Sequence, residues 1–129
     1  MKWIEVDELT HSVLNLRSNG GVVVLVDLSS VDSRASLDAT MRRSIPLDPR
    51  IEGAQPNWDG LLDSMFGGFE QMGVERALLA FTHARSILGL KQEVRDVLDD
   101  VLAQLVVQLA VPRPSGAGMD LGVFFEASE

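Results

Sequence analysis

The chain has 129 residues, 46% of them hydrophobic, no cysteine, and a formal net charge of −8. The length fits one domain and the apolar share a packed core, while the missing thiols exclude a disulfide framework, a cysteine nucleophile and a cysteine-bound metal. The negative charge disfavours nucleic acid and anionic membrane and favours a basic partner, and no apolar run approaches the roughly 18 residues that cross a bilayer.

Met1–Glu8 is acidic and lacks the apolar centre of a signal peptide, so a cytoplasmic location is expected. Val6, Leu9, Val13 and Leu16 recur at spacings of three and four, which predicts a short amphipathic helix. Asn19-Gly20-Gly21 breaks it. Val22 to Leu28 is a β-branched apolar run without alternation, which predicts a strand covered on both faces. Ser33 or Ser36 can cap a helix carrying Leu37, Met41 and Ile45, with Arg42 and Arg43 near its end and Pro46 and Pro49 stopping it.

From Leu47 to Pro56 the chain reads as an ordered, irregular loop. It feeds Pro56-Asn57-Trp58-Asp59-Gly60-Leu61-Leu62-Asp63-Ser64-Met65, which reads as a helix start with its stop at Gly67-Gly68. Asn57 can cap the first turn, where the Asp59 charge suits the helix dipole. Asp59 and Asp63 are four apart and share one face, at a cost of a few tenths of a kcal/mol in an isolated helix. They are either a solvated face or carboxylates presented to something positive. Trp58 is either a core anchor or a recognition aromatic. Between Leu47 and Gly73 the acids Asp48, Glu52, Asp59, Asp63 and Glu70 face one base, Arg50.

Arg76 to Thr82 is a strand candidate, although its Ala and Leu residues favour helix. Lys91 to Ala110 is the strongest helix, with Val94, Leu98, Val101, Leu105 and Leu109 on one stripe. Val106 and Val107 broaden the apolar face and predict deeper burial late in this helix. A connector rich in Pro and Gly leads to a last strand, Leu121 to Phe125. Strands linked by helical crossovers are parallel, so the pattern predicts an α/β domain with a three-stranded, mainly parallel sheet.

Catalytic signals are sparse. No phosphate loop, H-E-x-x-H, G-x-S-x-G or EF-hand loop occurs, and neither cofactor nor metal is expected. His83 follows a strand, a position where α/β enzymes place catalytic groups. A small α/β enzyme using His83 or the motif carboxylates is therefore one alternative. An interaction domain with solvated acids and no nuclease partner is another.

The motif Asn57-x-Asp59-x-Leu61-x-Asp63, after a long connection and before a glycine, resembles the signature helix of the barstar family. These are small acidic inhibitors of bacterial secreted ribonucleases. The order of elements resembles that family too, over about residues 22–127, so the resemblance implies one barstar-like domain over 1–129 with an extra N-terminal segment. It implies a non-catalytic inhibitor or immunity protein that blocks a basic ribonuclease or similar toxin enzyme. Its partner-binding residues would be Asp59, Asp63, Leu62, Trp58, Asn57 and Glu52, with Asp63 entering the pocket that holds a substrate phosphate. The chain departs from the family in three places. Leu62 stands where an aromatic residue is common, there is no tyrosine, and Gln104, Val107 or Gln108 stands where a third acidic contact lies late on the long helix.

Overall fold

Four parallel strands form one sheet in the order β1-β4-β3-β2. They are β1 (Trp3–Ile4), β2 (Val22–Asp27), β3 (Arg76–Thr82) and β4 (Asp120–Glu126). Helices α1 (Val6–Ser18), α2 (Arg34–Ser44), α3 (Trp58–Gln71) and α4 (Gln92–Ala110) connect them, with a 3₁₀ turn at Ala84–Gly89. This computed structural model describes residues 1–53, 57–114 and 116–127. Pro56, which opens the motif stretch, lies outside the described residues.

The sheet is α/β and parallel as expected, but it has four strands among the described residues. The added strand is the pair Trp3–Ile4, in register with Phe125–Glu126. Its backbone accepts from Phe125 N–H at Lys2 O (2.8 Å) and from Ala127 N–H at Ile4 O (2.7 Å), and Trp3 packs on Phe125 at 5.4 Å between ring centroids. A two-residue strand has no periodicity for a sequence to show.

β3 is central, and Ala77, Leu78, Leu79, Ala80 and Phe81 are all buried. Its Ala and Leu residues are strand here because both faces are covered, which outweighs their helix preference. α1 covers one face through Leu9, Val13 and Leu16 against Ile4, Leu78, Ala80, Val23 and Phe124. The main core lies on the other face, where Leu37 and Met41 of α2, Leu61, Met65 and Phe69 of α3, and Leu98, Leu105 and Leu109 of α4 meet Val24, Val26, Leu79, Phe81 and Phe125. The chain crosses the sheet one way from β1 to β2 and the other way from β2 through β3 to β4. Crossovers of one hand then set α1 on the face opposite the other helices.

β2 differs from the expected doubly covered strand. It is an edge strand, and Leu25 is 49% exposed on the α1 side. The expected deep burial late in α4 is also corrected. Val106 is half-buried, but Val107 points outward and is 66% exposed. Among the described residues no helix is long and apolar enough to cross a membrane.

The expected stop of α3 at Gly67-Gly68 is wrong. The helix continues to Gln71, and Gly73, with φ +65°, is where the chain turns away. The two glycines instead let a loop backbone lie against the helix. A Cβ on Gly68 would collide with the Pro46 carbonyl oxygen, and one on Gly67 with the Asp48 carbonyl oxygen. Asp48 N–H donates to Ser64 O at 2.9 Å, and Gln71 donates through Nε2 to the Asp48 carboxylate.

Gly68→Ala separates this seat from ordinary helix preference. In an open helix interior, alanine is favoured over glycine by about 1 kcal/mol. Here the added methyl group meets backbone, so the substitution should destabilise the fold by about 2 kcal/mol. A urea midpoint that rises on Gly68→Ala would refute the seat.

Candidate functional site

The N-terminal half of α3 is fixed at three points. Asn57 Oδ1 accepts from Gly60 N–H at 3.0 Å, and Leu61 N–H closes the first turn onto Asn57 O at 2.9 Å. Leu61, Leu62, Ser64 and Met65 are buried beneath the helix. Of the residues before it, Pro46 to Asp48 lie against Gly67-Gly68, and Arg42 Nη1 donates to Gly53 O at 2.7 Å. Arg42 also pairs with the buried Asp38 at 2.9 Å.

On this support, Asp59 and Asp63 are both exposed. Neither takes part in an ion pair or a side-chain hydrogen bond among the described residues, so both carboxylates face water. Glu70 belongs to the same outward face but is paired with Arg113 at 2.9 Å, and the Arg113 guanidinium also sits 5.6 Å from the Phe66 ring centroid. The face is thus two free carboxylates at its start and a neutralised pair at its end. The sequence alone does not distinguish them, because Arg113 reaches Glu70 only through the packing of α4 on α3.

The remaining expected contact residues divide. Glu52 is exposed in the loop. Asn57 is exposed, and its side chain serves as the cap. Trp58 is half-buried against the main core, with the Arg34 guanidinium 5.7 Å from its ring centroid, so it is a core anchor with one open side. Leu62 is corrected: at 6% exposure it lies in the core with Leu61, Met65 and Phe69 and offers no contact surface. Its place on the α3 stripe is legible from the spacing of those four residues. Gln104, Val107 and Gln108 are all exposed on α4.

His83 ends β3 in a left-handed conformation, φ 50° and ψ 41°, which is uncommon outside glycine. Asp27, opposite Thr82 in the strand register, is its neighbour. The Asp27 carboxyl is held below its ordinary value, first by Ser29 N–H donating to Oδ1 at 2.9 Å, then by the Ser29 hydroxyl and the nearby His83, against a small opposing effect of burial. Ser86 Oγ ties the corner by donating to Leu28 O at 2.6 Å. Crevices in open α/β sheets form where adjacent strands send their helices to opposite faces. β2 and β3 both lead to helices on the same face, so Asp27 and His83 do not sit at such a switch point. His11 is exposed on α1. Among the described residues no three His, Asp or Glu side chains gather to hold a metal ion.

Compared with protein-family models, curated proteins and solved structures, the chain matches none of them.

Two measurements probe this end of the sheet. Asn57→Ala should cost about 1 kcal/mol of stability, the usual worth of an N-cap, in a denaturant titration. Asp27 has a folded-state pKa below 3.8, so its contribution is complete above that value and is lost as pH falls through the folded pKa. The stability gap between wild type and Asp27→Asn should therefore be widest near neutrality and close on acidification below pH 3.8. A gap independent of pH would show that the Asp27 charge contributes nothing.

Proposed function

We propose that the protein is a non-catalytic, acidic inhibitor or immunity protein of the barstar type, and that it blocks the basic active site of a ribonuclease or similar toxin enzyme from the cytoplasm. The observation that carries this reading is the exposed, unpaired Asp59–Asp63 pair on a capped and well-seated helix. A nuclease site is lined by cations that hold phosphates, and a rigid carboxylate can take a phosphate's place there. A pair with no ion-pair partner among the described residues sacrifices no such contact on docking. The net charge of −8 steers such a chain toward a basic enzyme. The motif resemblance supports the same partner class, with Asp63 as anchor, Asp59 beside it, and Glu52, Asn57 and the open side of Trp58 at the rim.

The alternative of a small enzyme using His83 draws on its backbone conformation and its Asp27 neighbour. The corner does not sit at a topological switch point of the sheet, and Ser86 is bonded to backbone carbonyls, so the binding reading has the better support.

The test is a panel of purified small basic ribonucleases, with RNA cleavage followed as the protein is added. The expected result is stoichiometric inhibition of at least one enzyme. Asp63→Ala should weaken that complex by about 2 kcal/mol or more in calorimetry, the range of a desolvated charged anchor. Its own stability should stay within about 0.5 kcal/mol of wild type, because the side chain is exposed and unpaired. Association should slow as salt is added. Equal affinity of wild type and Asp63→Ala would remove the motif from the interface.

A further inference from the structure

Where α2 ends and the loop after it begins, Arg42, Arg43 and Arg50 line a hollow of about 600 Å³ together with Ile45, Leu47 and Ile51. The chain carries 19 Asp and Glu against 11 Lys and Arg, yet among the described residues no acid lines this hollow. Its walls are held in place. Arg42 pairs with Asp38 at 2.9 Å and donates to Gly53 O at 2.7 Å. Arg43 Nη2 donates to the Thr40 hydroxyl at 3.3 Å. Ile45 is buried, Leu47 and Ile51 are half-buried, and Pro46 to Asp48 lie against Gly67-Gly68.

We propose that this hollow binds a small phosphomonoester with an apolar body, its phosphate held by Arg43 and Arg50 and its body resting on Leu47 and Ile51. Arg50 carries the argument. The helix dipole accounts for Arg42 and Arg43, because cations are favoured in the last turn of a helix. It does not account for Arg50, which the loop brings to the same hollow. Arg50 lies between Asp48 and Glu52 in the chain, but among the described residues it forms no ion pair and no side-chain hydrogen bond. Asp48 accepts from Gln71 instead. Three guanidiniums around one space repel one another, and an anion between them turns that repulsion into attraction.

Charge and shape select the ligand. Asp38 offsets one of the three cations, and the two that remain match a phosphomonoester, which carries close to two negative charges at neutral pH. Guanidinium forks bind phosphate oxygens two at a time. A single carboxylate would satisfy one fork and leave the other. The apolar lining offers nothing to a bare ion, and the volume falls within the range of small-molecule sites, about 300–1,000 Å³. Acids farther than about 8 Å are largely screened at physiological salt, so the net charge of −8 does not close the hollow to an anion. Asp59 and Asp63 are not among the lining residues, so this site does not depend on the proposed inhibitory role.

Titration with phenyl phosphate at constant ionic strength, followed by the amide and arginine side-chain NMR signals, reads this directly. Saturable shifts should gather at Arg43, Ile45, Arg50 and Ile51, with a Kd of about 1 mM or below. Inorganic phosphate, which lacks the apolar body, should bind about tenfold more weakly. Arg43→Gln and Arg50→Gln should each weaken phenyl phosphate by about tenfold, the worth of one charged hydrogen bond. Arg50→Lys keeps the charge and loses the fork, so its affinity should fall between wild type and Arg50→Gln. Both arginines are exposed, and thermal unfolding of the variants should follow wild type. The absence of saturable shifts overturns the proposal. So do shifts centred elsewhere, an affinity that Arg50→Gln leaves unchanged, or equal binding of inorganic and phenyl phosphate.

Discussion

Burial of β3 on both faces is the constraint on which the other elements depend. Five consecutive residues, Ala77 to Phe81, lose contact with water. At about 25 cal/mol per Å² of apolar surface, such a strand is among the larger single contributions a domain of this size can make. It also requires two layers of cover. One is α1, which explains why a segment ahead of β2 belongs to the domain. The other is the layer of α2, α3 and α4, held together by Phe69, Phe81 and Phe125 at its centre, with the Phe81 and Phe125 rings stacked at 4.6 Å.

Within that layer the position of α3 is set by backbone as much as by side chains. Glycine in a helix interior normally costs stability. At Gly67 and Gly68 the cost is offset by the approach of the Pro46–Asp48 backbone, with a hydrogen bond from Asp48 N–H to Ser64 O. The same seat aims the helix start and holds Pro46 to Asp48 against the helix. A recognition surface needs this, because groups already held in place lose less entropy on binding.

Electrostatics then separates acids that look alike in the sequence. Asp38 is buried and paired with Arg42, Glu70 is paired with Arg113, and Asp48 is bonded by Gln71. Asp27 is stabilised as a carboxylate by Ser29. Asp59 and Asp63 have none of these partners. In a chain of net charge −8, two adjacent free carboxylates contribute to self-repulsion, which a cationic partner would relieve. This is the physical content of the proposal that they face a basic active site.

The sequence by itself determined the alternation of elements, the parallel α/β class, the cap at Asn57, a cap at Ser33 or Ser36 that the structure resolves to Ser33, and the shared face of Asp59 and Asp63. Each follows from local spacing, turn chemistry or charge, and these act over a few residues. Tertiary structure decided the rest. It made Trp3–Ile4 a fourth strand, because a two-residue strand exists only through its partner β4. It turned Gly67-Gly68 from a stop into a seat, because only the folded loop brings Pro46 and Asp48 there. It left Leu25 and Val107 in water, because the edge of the sheet and the outer face of α4 are properties of the assembled layers. It placed Leu62 in the core and Glu70 against Arg113, because burial and ion pairing across the α3–α4 contact join residues far apart in the chain.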